Sequence, residues 1–313
     1  MKISKLQRKL PSDAIVITGV PRSGTTITGK LVGTLKGVEY HFEPSMLHMI
    51  GAMHTMGELT TEAASNLLLI SFSEDLLLSS IQGRAVNLRP NDDSLILNQI
   101  TWAELNQRWT KINNRNEALE WIQREKVRLA VKMPNLIASA PLIKEAMPDS
   151  HLVIVLRDGH DVVRSILKKR WVVASEMENQ LWPYIESDSQ VQMPYWVPEE
   201  YRERWDTMSE ESRACLTWLH HAQLAHQVVS GKQYDEAGLT VIKYEDLLED
   251  PGSIIDNLSK KLDLQQTHLT DNTIRSVHKP PSMKTGSNQE FYPKVDEDIL
   301  AKFIALNQAL GYP

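Results

Sequence analysis

Gly19-Val20-Pro21-Arg22-Ser23-Gly24-Thr25-Thr26 is the stretch whose residue types most clearly suit chemistry. Its glycines allow a tight turn. A turn that opens a helix aims backbone N–H groups and the positive helix end at one point, and so holds an anion. The spacing matches the phosphate loop pattern of Gly, four residues, Gly, Lys and a hydroxyl residue, except that Thr25 replaces the lysine. A second register, Gly24 to Gly29-Lys30, has the lysine but puts Leu31 at the hydroxyl position and lies inside a helix. The loop is therefore Gly19–Thr26, and Lys30 is read as a helix-surface lysine. A nucleoside triphosphate kinase or NTPase needs the lysine and a magnesium site for its β and γ phosphates. Arginine with two threonines suits a less charged group and no metal.

A second anion site is expected at Leu156-Arg157-Asp158-Gly159-His160-Asp161-Val162-Val163-Arg164-Ser165. Arg157 ends an apolar strand, where ligands gather in open α/β sheets. Ser165 follows about two helical turns later and faces the same groove. An arginine and a hydroxyl together make a charge-assisted site for a phosphate dianion. Asp158 reads as a helix cap; Arg164, Lys168 and Lys169 read as surface residues.

Pro21-Arg22-Ser23-Gly24-Thr25-Thr26 resembles the 5′-phosphosulfate loop of sulfotransferases that use 3′-phosphoadenylyl sulfate (PAPS). Arg157 and Ser165 resemble the same family's 3′-phosphate motif. The resemblance implies a PAPS co-substrate, PAP as product and transfer of a sulfuryl group to a hydroxyl. Pro21, Arg22, Ser23, Gly24, Thr25, Thr26, Arg157 and Ser165 are then nucleotide-binding. Lys243-Tyr244-Glu245-Asp246-Leu247 is similar to a Tyr-Glu-Asp-Leu element of these enzymes and adds Tyr244 to the nucleotide site, with structural carboxylates. Lys284-Thr285-Gly286 resembles the late basic loop over the 3′-phosphate, which adds Lys284 and Gly286, although the wording differs from the usual Arg-Lys-Gly.

The small-molecule enzymes of that family carry a base histidine after the third strand; here the stretch reads Val131-Lys132-Met133-Pro134. Tyr40-His41-Phe42-Glu43-Pro44 resembles instead the Phe-Glu-Pro element of carbohydrate sulfotransferases, which implies Glu43 as general base. His41 is the runner-up, and strand alternation puts it on the same face as Glu43. Lys132 resembles the lysine of a Lys-Asp-Pro element in tyrosylprotein enzymes and would touch the bridging oxygen. Arg22 would hold the 5′-phosphate or the sulfuryl oxygens. The acceptor implied is a carbohydrate or glycolipid, with Asn87-Leu88-Arg89-Pro90 as a polar loop beside it. A tyrosyl peptide or a natural-product alcohol stays open, as do a P-loop kinase and a non-catalytic nucleotide-binding protein.

These residues need a scaffold of strands alternating with helices. Apolar, β-branched runs mark strands at 14–19, 37–42, 127–132, 151–156 and 239–243. Helices are expected at 25–35, 45–80, through most of 95–125, and at 141–147, 159–170, 210–230, 251–262 and 296–310. Strand–helix alternation means an α/β fold, with a parallel sheet of P-loop NTPase type covered on both faces. One domain over 1–313 is expected, with helical insertions about 45–125 and 171–235. Trp182–Trp205 reads as an irregular lid, and His278–Pro293 as a loop. Met46, Met49, Met53 and Met56 read as core residues at helical spacing. His220 and His221, adjacent on a helix, and His226 read as surface or packing residues, and no metal site is expected.

Lysines and arginines number 34 against 40 carboxylates, a net charge of −6, which argues against a nucleic-acid binder. One cysteine, Cys215, excludes an internal disulfide. The basic start, Met1–Leu10, is followed by a strand rather than a cleavable apolar segment. Continuous apolar runs are too short for a transmembrane segment. A cytoplasmic protein is expected.

Overall fold

The computed structural model describes residues 12–173, 184–186, 192–231, 234–277 and 290–313. The main sheet has strands β1 (Ile15–Gly19), β2 (Val38–Phe42), β3 (Arg128–Lys132), β4 (His151–Leu156) and β7 (Leu239–Lys243), in the order β2-β3-β1-β4-β7. All four ladders are parallel. A separate antiparallel hairpin pairs β5 (Tyr184–Glu186) with β6 (Gln192–Pro194). The α/β class, the five parallel strands and their positions agree with the sequence.

The central strands are buried on both faces, as parallel strands between helical layers must be. Val16, Val131 and Ile154 face one core cluster; Ile15, Ile17, Ala130, Val153 and Val155 face the other. On the second side the Thr25–Gly33 helix lies against β2. A Cβ on Gly29 would meet the Tyr40 hydroxyl at 2.4 Å. Gly29 therefore serves helix–sheet contact, which explains why the second glycine register is no phosphate loop.

Register places the functional strand ends together. Phe42 pairs with Lys132, Gly19 with Val155, and Leu156 with Lys243. Glu43, the 20–24 loop, Met133, Arg157 and Tyr244 thus leave the sheet along one carboxyl edge.

The first insertion departs from expectation in two ways. Residues 45–80 are two helices rather than one, Ser45–Thr55 and a second that starts at Thr61 and runs through a π-helical stretch, Ser71–Leu78, to Ile81. Gly57 at φ 82° turns the chain between them. The second helix, Thr61–Ile81, is long and apolar enough to cross a membrane, with a mean hydropathy of 1.2. Its Leu68, Phe72, Leu77, Leu78 and Ile81 are buried in the protein core, as in a core helix. The methionine stripe is the other departure. Met46 and Met56 are exposed and Met49 and Met53 only half-buried, while Leu47, His48, Ile50 and Ala52 face inward. Helical spacing defined a stripe but not which neighbour it would meet.

The same insertion holds the outer edge of β2. The Gln99 side-chain amide accepts a hydrogen bond from Tyr40 N at 3.1 Å and donates to Tyr40 O at 3.3 Å, filling the place of a neighbouring strand. Beside it Glu39, almost wholly buried, accepts a hydrogen bond from Ser80. Its other oxygen forms an ion pair with Arg108, N to O 2.9 Å, off the line of a hydrogen bond.

Candidate active site

The 20–24 loop is held by its own polar groups. Ser23 is fully buried and its hydroxyl donates to Val20 O and to Val155 O, the latter at 2.9 Å. The side chain expected to bind nucleotide is therefore used to fix the loop. Arg22 adopts φ 68°, which turns the chain, and Gly24 at φ 91° starts the helix. A Cβ on Gly24 would meet the Tyr244 ring at 2.2 Å, so Tyr244 closes tightly over the loop.

Two arginines converge here. Arg157 donates from Nη1 to Arg22 O at 3.1 Å and from Nη2 to Asp161 at 3.2 Å, and its guanidinium lies 4.5 Å from the centre of the Tyr244 ring. Its Nε is buried with no hydrogen-bond partner. A buried cationic donor left unpaired is costly, so it marks a place where an anion fits. Arg22 Nε donates to Ser165 Oγ at 3.1 Å and its guanidinium faces Trp171 at 5.1 Å. Burial, and next the charge of Arg157, lowers the Arg22 guanidinium from its ordinary value. A bound polyanion would relieve this crowding of positive charge at Arg22. The expected loop and the expected second site thus form one cradle, joined by the Arg22–Ser165 bond. Asp158 caps the helix through His160 N at 2.9 Å, and Arg164 pairs with Asp161.

A cavity of about 650 Å³ opens from this cradle. Pro21, Arg22, Gly24, Thr25, Thr26, Arg157 and Tyr244 line its charged end, as do Glu43 and Lys132. Lys132 is 2% exposed and its ammonium is paired with the Glu43 carboxylate. It also sits 4.3 Å from the centre of the Phe42 ring. Burial lowers the Lys132 ammonium, and Glu43 opposes that shift. Glu43 itself is 42% exposed and takes φ 47°, with its N–H donated to Lys132 O at 2.8 Å.

His41 is not among the residues lining the cavity. The alternation that was to put it beside Glu43 ends at Phe42, because Glu43 leaves extended geometry. His41 keeps the Glu39 face, its Nε2 is buried without a partner, and burial lowers its imidazole. Lys30 corrects the reading in the opposite direction. It lines the cavity and pairs with Asp93 of the 87–94 loop at 2.5 Å. Lys284 and Gly286 lie outside the described residues.

The rest of the lining is apolar and aromatic, with Ile166, Trp171, Val172, Trp196 and Trp205 and with His48 and His221 among them; Trp171 adjoins the cradle, beneath Arg22. The sequence reading missed these two histidines. The sequence offers only Trp218, three residues before His221, and nothing for His48, since the contacts that matter cross from one element to another.

Residues 14–268 match the model of the Sulfotransferase family. The chain belongs to the sulfotransferase family. It is an enzyme of the PAPS-dependent class, as the two phosphate motifs implied. No curated protein matches it. Among solved structures, the sulfotransferase domain from the Synechococcus PCC 7002 olefin synthase matches at 15% identity and TM-score 0.50, covering 100% of this chain and 99% of its own. The sulfotransferase domain from the curacin biosynthetic pathway matches at 14% identity and TM-score 0.49, over 98% and 99%. Retinol dehydratase, solved with androsterone and PAP, matches at 15% identity and TM-score 0.35, over 96% and 81%. At 15% identity and TM-score 0.50 the first of these speaks to the fold alone, a parallel sheet flanked by helices.

Proposed function

We propose that this sulfotransferase moves the sulfuryl group of PAPS to an acceptor hydroxyl in one in-line step, with Glu43 as general base. The acceptor oxygen bonds to sulfur as the bond from sulfur to the bridging phosphate oxygen breaks. The bridging electron pair leaves with PAP, and the hydroxyl proton passes to Glu43. Positioning and charge stabilisation carry most of such a transfer. Arg22, Thr25, Thr26 and the loop N–H groups serve the 5′ end of the nucleotide, and Arg157, with Ser165 and Tyr244, the 3′-phosphate. Lys132 offsets the charge that grows on the leaving oxygen.

The observation that carries this reading is the Glu43–Lys132 pair at the mouth of the anion cradle. A base and a cation side by side at the cradle suit a reaction that removes a proton and builds negative charge. Glu43→Gln is expected to lower kcat by about 10²–10⁴ with PAP affinity nearly unchanged. Sulfuryl transfer from radiolabelled PAPS and calorimetry with PAP measure the two quantities, and a wild-type kcat would remove Glu43 from the role. A P-loop kinase instead requires ATP with magnesium to bind more tightly than PAP.

For the acceptor, a carbohydrate or glycolipid draws support from Phe42-Glu43-Pro44 and from the polar 87–94 loop, whose Asp93 reaches the cavity wall. A natural-product alcohol is favoured by another observation: the cavity lining carries three tryptophans, Trp171 beside Arg22, and Trp196 and Trp205.

A further inference from the structure

The Glu210–Ser230 helix brings two adjacent histidines to the back of the acceptor end. His220 stacks on Trp196, ring centres 4.7 Å apart at 17°. The same indole meets His221 edge-on at 5.7 Å, and the two imidazoles are perpendicular at 5.0 Å. Two rings, Trp196 and His220, therefore fix the plane of His221. Its proton is fixed as well. Nδ1 lies 2.8 Å from Thr217 O, and a carbonyl oxygen only accepts, so Nδ1 carries the hydrogen. Nε2 is then a bare acceptor. Burial holds the His221 imidazole at about 4, so the ring is neutral near pH 7. His48, which lines the same cavity and is edge-on to Tyr195 at 5.9 Å, is held at about 4 by burial and by His221. The far wall thus offers neutral imidazole and flat aromatic surface. Among the described residues, no carboxylate, lysine or arginine contributes to the shift of either imidazole.

A wall of that kind selects by one rule. A ligand group that donates a hydrogen bond satisfies Nε2, whereas an apolar group buries it unpaired and binds less tightly. From this we infer that His221 is a specificity-determining residue: its Nε2 accepts a hydrogen bond from a second hydroxyl of the acceptor, one that is not sulfated. The acceptor is then a neutral, flat, largely apolar molecule with hydroxyls at both ends. One end meets Glu43 and Lys132; the body lies against Trp171 and Trp196; the other end meets His221. This rests on the PAPS reading above, since it takes the charged end as the nucleotide's.

The test uses two rigid probes, 2-naphthol and naphthalene-2,7-diol, titrated into the PAP-loaded enzyme by calorimetry. Wild type is expected to bind the diol about tenfold or more tightly than the mono-ol. In His221→Phe, which keeps a flat ring but has no acceptor, that ratio is expected to fall to about one, with PAP affinity unchanged. His221→Gln, which retains an acceptor oxygen, is expected to recover part of the preference. Equal binding of the two probes to wild type, no binding of either, or an undiminished ratio in His221→Phe overturns the inference. Failure of wild type to bind PAP overturns the nucleotide reading instead. If His221→Phe fails to bind PAP, the His221→Gln ratio and the wild-type preference still decide the question.

Discussion

Arg157 shows how much one side chain does in this site. Its three guanidinium nitrogens have three fates: Nη1 holds the Arg22 carbonyl, Nη2 meets Asp161, and Nε is buried unpaired. Arg157→Ala is expected to weaken PAP by roughly 10–100-fold, the value of a lost charge-assisted contact. Adenosine 5′-phosphosulfate, which has no 3′-phosphate, is expected to lose much less. Competition binding with both nucleotides checks this, and equal losses would take the 3′-phosphate away from Arg157. The residues of this cradle were legible because each lies in a short local motif at a strand end. Lys30, His48 and His221 were not, because their surroundings come from Asp93, Tyr195 and Trp196, which no local spacing connects to them.

At the scale of elements, strands were the most legible feature and helical faces the least. An apolar run such as His151–Leu156 has no other stable place than inside a sheet. The insertion was legible as helical, but not in what it holds. Its Gln99 and Arg108 reach across to β2, the strand that ends at Phe42, just before the proposed base. Glu39 is buried and Arg108 is the one cation that pairs with it among the described residues, so removing that cation leaves a buried carboxylate uncompensated. Arg108→Leu is expected to destabilise the fold by about 3–5 kcal/mol, and adding Glu39→Gln to restore much of it. Chemical denaturation of the two variants measures both. A loss under about 1 kcal/mol would mean that the pair contributes little to holding β2.

At the scale of the whole molecule, the buried histidines couple stability to pH. Burial holds His48, His151 and His221 near 4 and His220 near 2, against an ordinary 6.5. Between those values and 6.5 the unfolded chain binds protons that the folded chain does not. Stability from these groups is therefore complete above about pH 6.5 and is lost as pH falls towards 4. Each contributes on the order of 1–2 kcal/mol of that loss by pH 5. Calorimetry should find Tm lower at pH 5 than at pH 7 by about 5 °C or more. A Tm unchanged between the two would contradict neutral burial of these rings.

The Gln99 amide on Tyr40 has one more effect. An uncovered strand at the margin of a sheet is a template on which a second polypeptide can add. Here an amide side chain already occupies the only backbone groups of Tyr40 that such an intruder would use. Shielding the free margin of β2 and steadying the strand that leads to its proposed base are thus served by a single glutamine.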